Sequence, residues 1–152
     1  MNKINIGIAI KTIPLKDDLE FAEQLYDICS KNDGIQDVSI FYCNNGVISD
    51  KIKCGCFPMS NVMDFSGALI CKDLEMTIKS SEAINDINIY AILNRYNFLA
   101  YNFLTNKNNH KISYIAPSKD ISTIFERETT KKANFTYENL NSLVEYVLKN
   151  ER

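Results

Sequence analysis

Ile4-Asn5-Ile6-Gly7-Ile8-Ala9-Ile10 decides the fold. Its even positions build one β-branched face. Gly7 and Ala9 leave the other face small enough for a helix to come close. Pro14 then breaks the chain, and Ala22, Leu25, Tyr26 and Cys29 recur at helical spacing. That spacing predicts a helix over residues 17–31, with Asp17 and Glu20 as a capping pair. Asn32-Asp33-Gly34 should end it, the glycine taking a left-handed position.

The same alternation returns along the chain. Short apolar runs at residues 38–43, 68–71, 87–93 and 112–116 are each followed by a stretch with helical spacing. Segments 73–82, 95–104 and 121–128 are the intervening helices. Thr136 is placed to cap a last helix striped by Leu140, Leu143, Val144, Val147 and Leu148. Such an order gives an α/β fold: an open, mostly parallel, Rossmann-like sheet with helices on both faces in three layers. Residues 47–56, after the turn Asn44-Asn45-Gly46, leave room for one antiparallel edge strand.

The chain has 152 residues, 45% hydrophobic and 24% charged, which fits one domain over 1–152 with a sizeable core. A formal net charge of −2 gives no electrostatic sleeve for nucleic acid. No apolar run is long enough to span a bilayer, so no membrane partner is expected. The amino-terminal run reads as a first strand rather than a signal segment, and the expected compartment is cytoplasmic. Five cysteines, an odd number, argue against a closed disulfide framework and for a reducing setting.

In an open parallel sheet, ligands bind beyond the strand C-termini, where the strand order switches. The first such loop carries Lys11 and Thr12, which could meet a phosphate at the following helix N-terminus. It lacks any glycine-rich phosphate cradle. Lys72-Asp73 and Asn94-Arg95 close two strands, so Asp73 and Arg95 could hold a polar ligand, the arginine by forked hydrogen bonds. Asp73 serves equally well as a helix cap. Pro117-Ser118-Lys119-Asp120 puts Ser118 and Lys119 just before exposed helical amides, suited to a sugar hydroxyl or phosphate. A plain turn, with Asp120 capping the next helix, is the structural account of the same residues.

Other constellations are poor. Cys54 and Cys56 are one residue apart, and the remaining cysteines are scattered, so neither a zinc knuckle nor a redox pair is spelled out. No metal and no cofactor are expected. His110, the sole histidine, lies in a polar turn away from the strand ends where a catalytic relay would sit. Tyr96, Phe98, Tyr101 and Phe103 are better read as core than as a stacking platform, because no basic groove accompanies them.

Asp64-Phe65-Ser66-Gly67-Ala68-Leu69-Ile70-Cys71-Lys72-Asp73-Leu74, followed by helix, strand, aromatic helix and strand, resembles one half-domain of glycosyltransferases built from two Rossmann domains. Small phage-type proteins carry such a domain. In that family catalysis occurs in the cleft between two domains, and the sugar nucleotide is held chiefly by the second. The resemblance implies an isolated half that binds a partner or closes a cleft by self-association, and it transfers no catalytic residue. The residues lead to a small binding or assembly module without its own catalysis. The alternative is a glycosyltransferase-like enzyme or subunit binding a nucleotide or sugar nucleotide through Arg95, Ser118 and Lys119, which would then line one apolar-floored pocket.

Overall fold

The computed structural model describes residues 2–12, 16–44, 49–95, 98–106 and 111–152. Among them, seven strands form one sheet in the order β3-β2-β1-β4-β5-β6-β7. They are β1 (Ile4–Thr12), β2 (Ile35–Asn44), β3 (Gly55–Pro58), β4 (Gly67–Cys71), β5 (Ile87–Ile92), β6 (Ile112–Ala116) and β7 (Phe135–Thr136). Every adjacent pair runs parallel. The helices are α1 (Lys16–Ser30), α2 (Leu74–Ser81), α3 (Phe98–Asn106), α4 (Lys119–Thr129) and α5 (Leu140–Glu151). The sheet is α/β and Rossmann-like: the chain builds outward from β1 to one edge, then returns to β4 on the other side of β1.

The face division follows the alternation in β1. Ile6, Ile8 and Ile10 pack with Ala22 and Leu25 of α1 and with Leu143, Val144 and Val147 of α5. Ala9 faces the opposite layer, with Met76 of α2, Tyr101 of α3 and Phe125 of α4. Ala68, Leu69, Ile70 and Cys71 of β4 are wholly buried, because a central parallel strand is covered on both sides. Gly7 has a different use from the one expected. A Cβ there would lie 2.7 Å from Leu69 Cδ1 and 3.1 Å from the rings of Phe41 and Phe65. Side chains of neighbouring segments, not a helix backbone, fill its space.

Several local expectations are corrected. The edge strand lies at Gly55–Pro58, and it pairs with β2 in parallel, Ser39 opposite Gly55. The pairing is therefore not that of a hairpin; Asn45 and Gly46 of the expected turn lie outside the described residues. A 3-10 helix over Met59–Asp64 follows, burying Met59 and Val62. Asp17 lies inside the first turn of α1, where a carboxylate complements the helix dipole. Gly34 is not left-handed. The exit from α1 is closed instead by Asn32, whose Oδ1 accepts from Gly34 N at 2.8 Å. On α2, Leu74 and Met76 are buried together with Thr77 and Ser80, and Ile78 is 40% exposed.

Two caps also differ. Thr136 is taken by β7, pairing beside Ala116, so the chain runs on and Asn139 caps α5. Asn139 Oδ1 accepts from Ser142 N at 2.9 Å, and Ser142 Oγ accepts in return from Asn139 N at 3.3 Å. At α4 the cap is Ser118, not Asp120: Ser118 Oγ accepts from Ile121 N at 3.3 Å. Among the described residues no helix is long and apolar enough to cross a membrane.

Candidate functional site at the strand switch

The order of the sheet reverses between β1 and β4. Ala9 lies opposite Cys71 there, and Lys72 N donates to Ala9 O at 3.0 Å. The chain leaves β4 at Lys72-Asp73 and enters α2 at once. Asp73 Oδ1 accepts from Met76 N at 3.0 Å, and Thr77 Oγ1 donates to Asp73 O at 3.0 Å. This short turn aims the first turn of α2 back over the C-terminal end of β1.

A cavity of about 520 Å³ opens at that point. Its wall contains Lys11 from β1, Asp73 before α2, Leu74, Glu75, Ile78 and Lys79 from α2, Asn94 after β5, and Ala100 from α3. Leu74, Ile78 and Ala100 give it an apolar side. The polar side is a linked chain of charges. Glu75 Oε2 lies 3.2 Å from Lys11 Nζ, and Glu75 Oε1 lies 3.3 Å from Lys79 Nζ. Lys79 Nζ also donates to Cys43 Sγ at 3.2 Å, at the C-terminal end of β2.

The titration of these groups follows the geometry. The hydrogen bond from Lys11, seconded by Lys79, holds the Glu75 carboxyl below the usual carboxylate range. Burial pushes Asp73 up, against the hydrogen bond it receives from the Met76 amide, and the nearby Asp18 and Glu75 charges add to the rise. Contact with Cys43, then with Glu75, raises Lys79.

Behind the switch, on the α1 side, Lys72 Nζ pairs with Asp18 Oδ1 at 2.9 Å, with Asp18 only 7% exposed at its side chain. Lys72 Nζ also stands 5.9 Å above the Phe21 ring. This pair ties the start of α1 to the end of β4. It fixes the two elements that flank the switch, which is a positioning role for both residues.

The residues singled out from the sequence divide. Lys11 and Asp73 come together in the cavity wall. Thr12 ends β1, with Asn44 as its ladder partner. Arg95 follows the wall residue Asn94 but does not itself line the cavity, and it is exposed. Ser118 caps α4, and Lys119, its first residue, is exposed. Arg95, Ser118 and Lys119 thus do not share this cavity.

Glu75, Lys79 and Asn94 complete the wall without having been singled out. The i,i+4 spacing of Glu75 and Lys79 on one helix face was the available signal. That this face turns toward Lys11 was not in the spacing.

Among the described residues no group of three or more His, Cys, Asp or Glu comes together as a metal site. His110, like Tyr96, lies outside the described residues. Cys54 and Cys56 are half-buried neighbours, and desolvation raises both thiols. Tyr101 is fully buried and packs edge-on to Tyr114 and Phe125, whereas Phe103 is 62% exposed. The aromatic segment is therefore core at one residue and surface at the other. No protein-family model, curated protein or solved structure matches this chain.

Proposed function

We propose that this chain is a binding module that takes a nucleotide or sugar nucleotide at the β1–β4 switch. One observation carries the reading. A cavity of about 520 Å³, within the range of small-molecule sites, coincides with the switch in strand order and draws its wall from the ends of successive strands. Leu74, Ile78 and Ala100 suit the face of a base or sugar. Lys11 and Lys79 suit a phosphate, and Asp73 and Asn94 suit hydroxyls.

The test is calorimetric titration with mono- and diphosphates of uridine and adenosine and their sugar conjugates. Micromolar binding by one of them is expected. Lys11→Met should weaken it at least tenfold, about 1.4 kcal/mol. Arg95→Ala should change it less than threefold. Silence across the panel at millimolar concentration, or an unaltered Kd in Lys11→Met, refutes the reading.

One observation favours a second reading, a glycosyltransferase-like half as in small phage-type proteins. The stretch that resembles those enzymes, residues 64–74, forms β4 and its turn into α2, the turn that supplies Asp73 to the wall. Such a half would need a partner to close its cleft. On α3, Leu99 and Phe103 are 85% and 62% exposed, a surface for self-association. Release of sugar or nucleoside diphosphate from a bound sugar nucleotide, with a concentration-dependent dimer in light scattering, would favour this reading over the first.

A further inference from the structure

We propose that Glu75 occupies an anion slot: its carboxylate holds Lys11 and Lys79 where the terminal phosphate of a ligand is received. The inference rests on the cavity being a ligand site and names the chemistry of one end of it. The two ammonium groups come from different elements, the end of β1 and the second turn of α2. A single carboxylate bridges them, one oxygen to each, at 3.2 and 3.3 Å. All three side chains line the cavity.

The bridging acid is also the one free to leave. Asp73 is engaged as the helix cap, whereas Glu75 is 44% exposed at its side chain, and among the described residues its ion pairs to Lys11 and Lys79 are exposed ones, which are weak. When Glu75 swings into water, Lys79 Nζ keeps a second acceptor in Cys43 Sγ at 3.2 Å. A phosphate monoester brings close to two negative charges and three acceptor oxygens against the single charge of the carboxylate, so it satisfies two ammonium groups better. No bond is made or broken; one anion replaces another.

Inorganic phosphate and pyrophosphate, titrated onto the whole chain and followed by amide chemical shifts, are the probes. Glu75→Gln should bind them at least fivefold more tightly than the unaltered protein, with the shifts centred on Lys11, Glu75 and Lys79. Adding Lys11→Met to Glu75→Gln should abolish the gain. Glu145→Gln, the same charge change on α5 across the sheet, should leave affinity unaltered. The inference is overturned if Glu75→Gln shows no gain, if the gain survives loss of Lys11, or if Glu145→Gln gains as much. Uridine and its monophosphate separate a nucleotide from a free phosphate as the source: only the monophosphate should gain from Glu75→Gln. If phosphate gains while neither uridine compound binds, the slot stands and the nucleotide reading falls. If nucleotides bind but Glu75→Gln gives them no advantage, the slot falls and the nucleotide reading stands.

Discussion

Replacing Gly67 by alanine probes the pairing that creates the switch. Gly67 starts β4 at φ +142°, a backbone conformation closed to side chains in practice. A Cβ there would sit 2.4 Å from the backbone oxygen of Asn5 in β1. A backbone atom cannot rotate aside, so the strands must part or the residue must change conformation. Backbone strain of this kind costs about 1–3 kcal/mol. Disturbing the hydrogen bond that Gly67 N donates to Asp86 O adds about 1 kcal/mol. The expected loss is therefore about 2–4 kcal/mol, or roughly 5–15 °C in Tm for a chain of this size.

Gly34→Ala is the control. Its backbone is not left-handed, and its nearest neighbours are ends of side chains, Arg152 Nη2 at 3.1 Å and Asn32 Oδ1 at 3.2 Å. Alanine also restricts the unfolded chain there, worth about 0.4–1 kcal/mol, so this variant should stay within about 1 kcal/mol of the parent. Urea unfolding followed by far-UV circular dichroism is the assay, since the chain has no tryptophan. A Gly67→Ala protein within about 0.5 kcal/mol of the parent, or a Gly34→Ala protein equally damaged, would refute the argument from backbone conformation. The five residues of β4 separate Gly67 from the cavity by about 15 Å, so the ligand affinity of the folded variant should not move.

Two further outcomes follow from the caps and the thiols. Ser118→Ala should cost about 1 kcal/mol in urea unfolding through loss of the α4 cap, and leave nucleotide affinity unchanged; a tenfold loss of affinity would return Ser118 to the binding site. Burial pushes the Cys29 and Cys71 thiols up to about 12, so at pH 8 both should resist iodoacetamide in the native protein while partly exposed Cys43 is alkylated. Labelling should reach Cys29 and Cys71 only when the chain unfolds. Mass mapping that finds them modified as fast as Cys43 would contradict their placement in the core.

The layers were legible in local pattern alone. The alternation that sets Ile6, Ile8 and Ile10 on one face and the stripe through Leu143, Val144 and Val147 each depend on neighbours a few positions apart, and the structure buries those six residues in one core layer. Direction and closure at the edges needed more. The pairing of Gly55–Pro58 with β2, the strand at Phe135–Thr136 and the shift of the last cap to Asn139 depend on where a distant strand offers a free ladder.

The cavity shows the same division. Lys11 and Asp73 were legible because strand ends are where side chains stop being buried in an open sheet. Glu75, Lys79 and Asn94 were not, because only the order of the strands brings α2 over β1 and beside β5. Local periodicity fixes which face of an element is apolar. The partner that face meets, and the polar groups left together at its end, are set by contacts between residues far apart in the chain, and those exist only once the sheet has formed.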